Sequence, residues 1–412
     1  MALRPHRRLP APLLLHRLAT AATPPRHPRW QHRAPPSRAL HPSPLEGSHP
    51  KPLRAAHLAS PLPSPPPPGV GWLDEGLTRS VVGTPRGPRL HPSLHGLDLR
   101  DWLLVDVSTY GAQMSAKFSA LRLRRAEVLQ AEDATTLEAQ REVAALLLAH
   151  LPARYPSHFE ARGEARLHVA VGGFGGEVDV AAYASPLEGA ARLVQEDLVL
   201  MRRGGGGAED EYHAAAAAVA FSFADLPRRV QQRQSMAALH AKVGGYEADL
   251  HRPVSRALHA LKVGSPMWRT NWAFSFSGAI EPHPDRYLLN LQKRARLFPD
   301  APVTEWDGAD GAVRRIDARG AGDVLFLKTE YQTLRRLPRN SDFVLFTVRT
   351  HLTPLRSLEA FPAAAARLAE NVRGALQLDF RFYKGLDDPR VAERVLSYLD
   401  ACSQGSHEPA SS

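Results

Sequence analysis

Two long apolar runs near the C-terminal third constrain this chain more than anything else in it. They are VLFLKTEYQTL (324–334) and FVLFTVRTHL (343–352), separated by RRLPRNSD (335–342). Both are rich in β-branched and aromatic residues, and the proline and most of the charge fall between them. That pattern predicts adjacent antiparallel strands joined by a loop. Strand alternation puts Glu330 on one face with Phe326, Lys328 and Gln332; Leu325, Leu327, Thr329 and Tyr331 take the other. A carboxylate on the inner face of a sheet is costly unless paired. Glu330 is therefore an arginine-paired or solvated residue, or a functional acid. Arg335, Arg336 and Arg349 follow as candidates for an anionic ligand, with plain surface charge as the alternative.

The surrounding pattern is mixed. Residues 98–156 read as helical: Thr135 with Glu138 forms a candidate capping box, and Pro152 is expected to stop the helix. ARLHVAV (165–171) alternates like a strand, and GGFGGE (172–177) reads as a tight turn, since it lacks the spacing and Lys-Ser/Thr of a phosphate loop. QEDLVLM (195–201) is strand-like, GGGGAEDE (204–211) is a loop, and YHAAAAAVAFSF (212–223) fits either a helix or a strand. HRPVSRALHALKV (251–263) is a helix, with Pro253 in its first turn and Gly264 at its end. WRTNWAFSFS (268–277) is strand-like, with Arg269 and Asn271 as polar exceptions, and two closing helices follow residue 356. Helices, then mostly antiparallel strands, then helices make an α+β fold.

Charge and proline divide the chain. The formal net charge is +10, but residues 1–45 hold eight arginines and no acid, leaving +2 for residues 46–412. A basic nucleic-acid face is thus not indicated. Residues 1–45 read as a transit-peptide-like leader, with the mitochondrion favoured over the plastid; residues 46–88 form a Pro-rich linker. Residues 89–163 are the helical part of the domain, 164–355 its sheet part, 356–402 its closing helices, and 403–412 a disordered tail. No run reaches the roughly 18 apolar residues of a membrane-spanning helix. The lone Cys402 excludes internal disulfides and a CxxC zinc site. Hydrolase, kinase, EF-hand and zincin signatures are absent.

Among 19 histidines, His251 is distinctive. Traced back along its helix, it lines up with Val254, Leu258 and Leu261 and so faces inward, whereas His259 falls on the polar face. An inward imidazole at a helix start can ligate a metal. A buried histidine bonded to backbone has the same pattern.

In order and spacing, DWLLVD (101–106), QEDLVLM, LHRPV (250–254), WRTNW (268–272), TEYQTLRRLP (329–338), FVLFTVRTHLTPL (343–355) and YKGL (383–386) resemble the alpha subunit of haem-dependent oxidative N-demethylase. The resemblance spans about 89–402. It implies a PAS-like antiparallel sheet elaborated by N- and C-terminal helices. It also implies haem b with a histidine proximal ligand, and a monooxygenase that uses O₂ to turn a dimethylamine-like secondary amine into a primary amine and formaldehyde. NADPH is the implied electron source, through a separate flavin or iron–sulfur reductase component. On this resemblance His251 is the iron ligand and Glu330 the acid beside the substrate. Arg335, Arg336 and Arg349 become candidates for the haem propionates, and Arg269, Asn271 and Gln332 for the substrate pocket. The chain departs from the family pattern at Ser255 and Tyr331, where proline and arginine are usual. A haem-binding PAS-type sensor or carrier without turnover is the alternative.

Overall fold

The computed structural model describes residues 90–204, 211–221, 230–231, 233–241, 243–275, 308–378, 381 and 384–405. The expected leader and linker, the centre of the GGGGAEDE loop, His283 with its flanking prolines, the RYLLNLQ segment (286–292), Tyr383 and the end of the C-terminal tail lie outside them.

The two runs that constrain the chain pair as expected. Strand β9 (Phe326–Arg336) and β10 (Phe343–Pro354) are antiparallel neighbours, with Glu330 opposite Thr350 and Tyr331 opposite Arg349. They form the middle of a seven-stranded antiparallel sheet of order β1-β8-β9-β10-β6-β7-β2. Its other members are β1 (His95–Gly96), β2 (Leu129–Gln130), β6 (Asp197–Arg203), β7 (Tyr212–Ala218) and β8 (Met267–Ser275). A second sheet, β3 (Phe159–Ala161), β4 (Arg166–Val171) and β5 (Phe174–Asp179), completes an α+β fold.

The β4–β5 hairpin explains GGFGGE. Gly172 and Gly173 are its two loop residues, with φ of +55° and +78°. Two positive φ values in a two-residue loop match the twist of the flanking strands. At Gly172 a side chain has no room either: a Cβ would lie 2.0 Å from the Val107 carbonyl oxygen.

The alanine run is strand β7. Ala214, Ala216, Ala217 and Ala218 are all buried and divide between the cores on either face of the sheet. Alanine's helix preference is worth only tenths of a kcal/mol per residue over most others. Burial between two layers overrides it.

Helices cover the sheet unequally. On one face, α1 (Tyr110–Leu123), α2 (Leu137–Arg154) and α3 (Pro186–Ala191) pack over Leu198, Leu200, Ala216, Tyr331 and Leu345. Further along that face, α6 (Gly308–Arg319), α7 (Pro362–Leu376) and α8 (Pro389–Ser403) bury Trp272, Phe274, Leu325 and Leu327. The opposite face is met by α4 (Met236–His240) and α5 (His251–Ala260), whose Leu258 packs with Leu261, Val199, Leu334 and Val344.

Two local expectations need correction. Thr135 and Glu138 make no capping box: α2 starts at Leu137, and the Asp133 side chain instead accepts from Thr135 N and caps a 3₁₀ turn ahead of it. Glu138 pairs with Arg141. Pro152 does not stop α2, which continues to Arg154. The lost N–H falls in the final turn, where Tyr155 N still reaches Leu151 O at 2.8 Å. Among the described residues, no helix is long and apolar enough to cross a membrane.

Candidate functional site

Residues directly opposite on neighbouring strands share a face. Arg269 is opposite Gln332, Asn271 opposite Glu330, and Glu330 opposite Thr350. The polar exceptions of β8 therefore stand beside the acid of β9, on the face that α5 covers. Their sequence neighbours Trp268 and Trp272 belong to the other face, opposite Thr333 and Thr329.

Glu330 is 7% exposed, so its charge has to be met from inside the protein. Lys328, two residues away on the same face, brings Nζ to 2.7 Å from Oε1. Gln332 Nε2 donates to Oε2 at 3.0 Å and Asn271 Nδ2 at 3.4 Å. Lys384 extends the network: its Nζ donates to Asn271 Oδ1 and to the Trp272 carbonyl, each at 2.8 Å, and lies over the Trp272 ring. Glu330 is thus paired, as one expectation had it, with a lysine of its own strand in place of an arginine.

Arg269 is the opposite case. Its Nε is buried and donates to nothing among the described residues. Burial pulls its pKa below the ordinary arginine value, while Glu330 and Tyr246 pull it back up. The Tyr246 hydroxyl and Thr350 Oγ1 are likewise buried without a hydrogen-bond partner among the described residues. Burial, with Glu211 and Glu247 nearby, raises the Tyr246 pKa, and Arg269 opposes them.

Tyr246 carries the site across to His251. Residues Tyr246–Leu250 form a π-helical turn, entered through Gly245 at φ +77°, and the His251 N–H closes it on Tyr246 O. Such turns are frequent at functional sites. The Tyr246 ring stacks between His240, at 4.4 Å, and His251, at 6.1 Å. His251 is the first residue of α5 and its side chain is 27% exposed, so it is only partly inward. Its Nδ1 is 3.1 Å from Glu247 Oε1, and its Nε2 is 3.3 Å from Glu211 Oε1. Glu211 is itself held by Ala237 N at 2.6 Å.

The three arginines expected to hold an anion are elsewhere engaged. Arg335 and Arg349 stand opposite Leu345 and Tyr331 and so face away from Glu330. Arg335 lies 4.2 Å over the Trp102 ring. Arg349 is fully buried and donates to Gln113 Oε1 and Thr109 Oγ1. Arg336 does share the face of Glu330, but four of its five N–H groups are bonded. They reach the carbonyls of Leu261 (2.5 Å), Leu258 (2.6 Å) and Ser341 and the Tyr212 hydroxyl (2.7 Å). Arg336 ties the last turn of α5 to the sheet.

Sequence reasoning passed over Lys328, Tyr246, Glu247 and Lys384. Lys328 was legible from alternation, and Glu247 from its helical spacing of four before His251. Lys384 lies in the YKGL segment that carried the resemblance, but nothing in the sequence joined it to Asn271, 113 residues away.

This is an α+β domain in which one sheet face carries a paired carboxylate, Glu330, and, with the turn that covers it, donors that are buried without acceptors among the described residues; the His240 and His251 imidazoles flank Tyr246 of that turn. Residues 93–395 match the family described as haem-dependent oxidative N-demethylase, alpha subunit-like, and the chain belongs to that family. The description assigns haem and an oxidoreductase chemistry, and the term alpha subunit implies a partner subunit. The residues fit haem. A haem iron needs only one axial side chain, and acidic haem edges need donors such as those left without partners here.

Proposed function

We propose that this chain is the haem b subunit of a monooxygenase that oxidatively removes a methyl group from a small, dimethylamine-like secondary amine. Its sheet is read as PAS-like. NADPH supplies electrons through a separate flavin or iron–sulfur reductase component, and residues 1–45 direct the protein to the mitochondrion. The observation that supports the reading is that Glu330 and Arg269 are diagonal neighbours on the sheet face that α5 covers, with Tyr246 stacked on His251 at the start of that helix.

His251 would hold the iron through one ring nitrogen, and the carboxylate left on the other, Glu247 or Glu211, would fix the tautomer and raise ligand basicity. Bound haem supplies the activation of O₂. Glu330 receives the substrate nitrogen by a charge-assisted hydrogen bond and accepts its proton as the amine is oxidised. Gln332 and Asn271 orient the Glu330 carboxylate. The balance is one amine, one O₂, two electrons and two protons giving the demethylated amine, formaldehyde and water.

An absorption spectrum of the haem-loaded chain tests this reading. A Soret band lost in His251→Ala and retained in Glu330→Gln supports both assignments. A chain that takes up no haem overturns the enzyme. If haem is bound, formaldehyde release from dimethylamine with a competent electron donor separates the enzyme from a sensor or carrier, which releases none.

A further inference from the structure

Past the short pairing of β1 with Met267 and Trp268, strand β8 has no neighbouring strand on its outer side among the described residues. The connection between α7 and α8 runs along that edge. Lys384 Nζ donates to the Trp272 carbonyl at 2.8 Å, and a Cβ on Gly385, where φ is +76°, would lie 3.1 Å from the Phe274 carbonyl oxygen. The two carbonyls are two residues apart and so belong to one edge of the strand. Lys384 is thereby held in place, 5% exposed, and its Nζ also donates to Asn271 Oδ1 at 2.8 Å. An ammonium can only donate. It therefore selects the amide orientation in which Asn271 Oδ1 faces Lys384 and Nδ2 faces Glu330 Oε2, 3.4 Å away. Lys328 and Gln332 reach Glu330 from its own strand, whereas Asn271 reaches it from β8. Turned the other way, the amide would set an oxygen against the carboxylate.

Resting on the demethylase reading, we infer that Lys384 is a positioning residue for the reaction: through the Asn271 amide it directs the Glu330 carboxylate that takes the proton of the amine. Lys384 itself touches neither the substrate nor the iron. Its effect separates into two kinetic constants. Removing a nearby positive charge does not weaken the hold on an ammonium ion, so binding should not suffer. Misdirecting the carboxylate makes it a poorer proton acceptor, so the chemical step should. A lysine that served only to cover the edge of β8 would show no such split and no dependence on Asn271.

The test is formaldehyde release from dimethylamine by the full haem-loaded chain with a competent electron donor. Lys384→Met is expected to lower kcat about tenfold without raising KM. Asn271→Ala should lower kcat similarly, and the double variant no further, because the two residues act in series. An unchanged kcat, a raised KM, or losses that add in the double variant overturns the inference. The amide gives a second readout that needs no haem. The chain has four asparagines, so isotopic labelling of asparagine yields few side-chain amide signals in a magnetic resonance spectrum, and Asn271→Ala identifies the one concerned. Glu330→Gln should shift the Asn271 amide protons in the wild-type chain and much less in Lys384→Met; equal shifts overturn the inference. If Lys384→Met does not fold, Lys384→Gln, whose amide can accept as well as donate, takes its place with the same outcomes. If the wild-type chain takes up no haem or releases no formaldehyde, the demethylase reading fails on its own, and the amide shifts alone decide whether Lys384 directs Asn271 to Glu330.

Discussion

Lys328 Nζ lies 2.7 Å from Glu330 Oε1, and the two residues are buried side by side on one face of one strand. Two charges taken out of water offset each other only while both remain. Lys328→Met should therefore destabilise the protein by about 3 kcal/mol by stranding the carboxylate, whereas Lys328→Met with Glu330→Gln should recover most of that loss. Urea unfolding of the two single variants and the double variant closes the cycle. Equal costs for Lys328→Met in both backgrounds would show that the pair is not coupled.

Arg336 is expected to matter to His251 from the far end of the same helix. Its guanidinium takes the Leu258 and Leu261 carbonyls at the C-terminus of α5. Arg336→Ala should speed hydrogen exchange across residues 251–261 and cost about 2 kcal/mol, with Arg336→Lys failing to rescue because one ammonium cannot reproduce the planar fork. Unchanged exchange in α5 would place its anchor elsewhere.

The two loop glycines of the β4–β5 hairpin should differ on substitution. Gly173→Ala meets nothing within 4 Å and incurs only the left-handed backbone strain, about 1 kcal/mol. Gly172→Ala adds a collision with the Val107 carbonyl and should cost several times more. Thermal unfolding of both variants gives the comparison, and equal shifts would contradict it.

Stability should fall in acid through His150. This histidine is buried against Trp102, and burial, helped by Arg335 and Arg154, depresses its pKa to about 3. The unfolded chain binds that proton near the ordinary value of 6.5. Between those values the unfolded state holds more protons, so stability is full above about pH 6.5 and declines toward about pH 3. The contribution at stake is on the order of 5 kcal/mol. His150→Leu should flatten this part of the profile, as read from denaturant midpoints across pH.

Much of this was legible in the sequence, for identifiable reasons. The β9–β10 hairpin was clear because its alternation runs through two long segments on either side of a charged, proline-bearing loop. The co-facial set Lys328, Glu330 and Gln332 followed from strand parity alone. Parity also set Arg335 apart from Arg336, since consecutive strand residues face opposite ways. Arg349 required the register, which is set by how the hairpin closes. The alanine strand was ambiguous because local propensity and final burial disagree there.

By itself, then, the sequence determined the α+β order, the strand parity and the presence of an acid on a buried face. These depend on residues a few positions apart. Tertiary structure decided which face α5 would cover and that Arg336 would be engaged by its carbonyls. It also brought Lys384 to Asn271 and left Arg269 Nε and the Tyr246 and Thr350 hydroxyls without acceptors among the described residues. Those outcomes join groups far apart in the chain, and packing in three dimensions selects them.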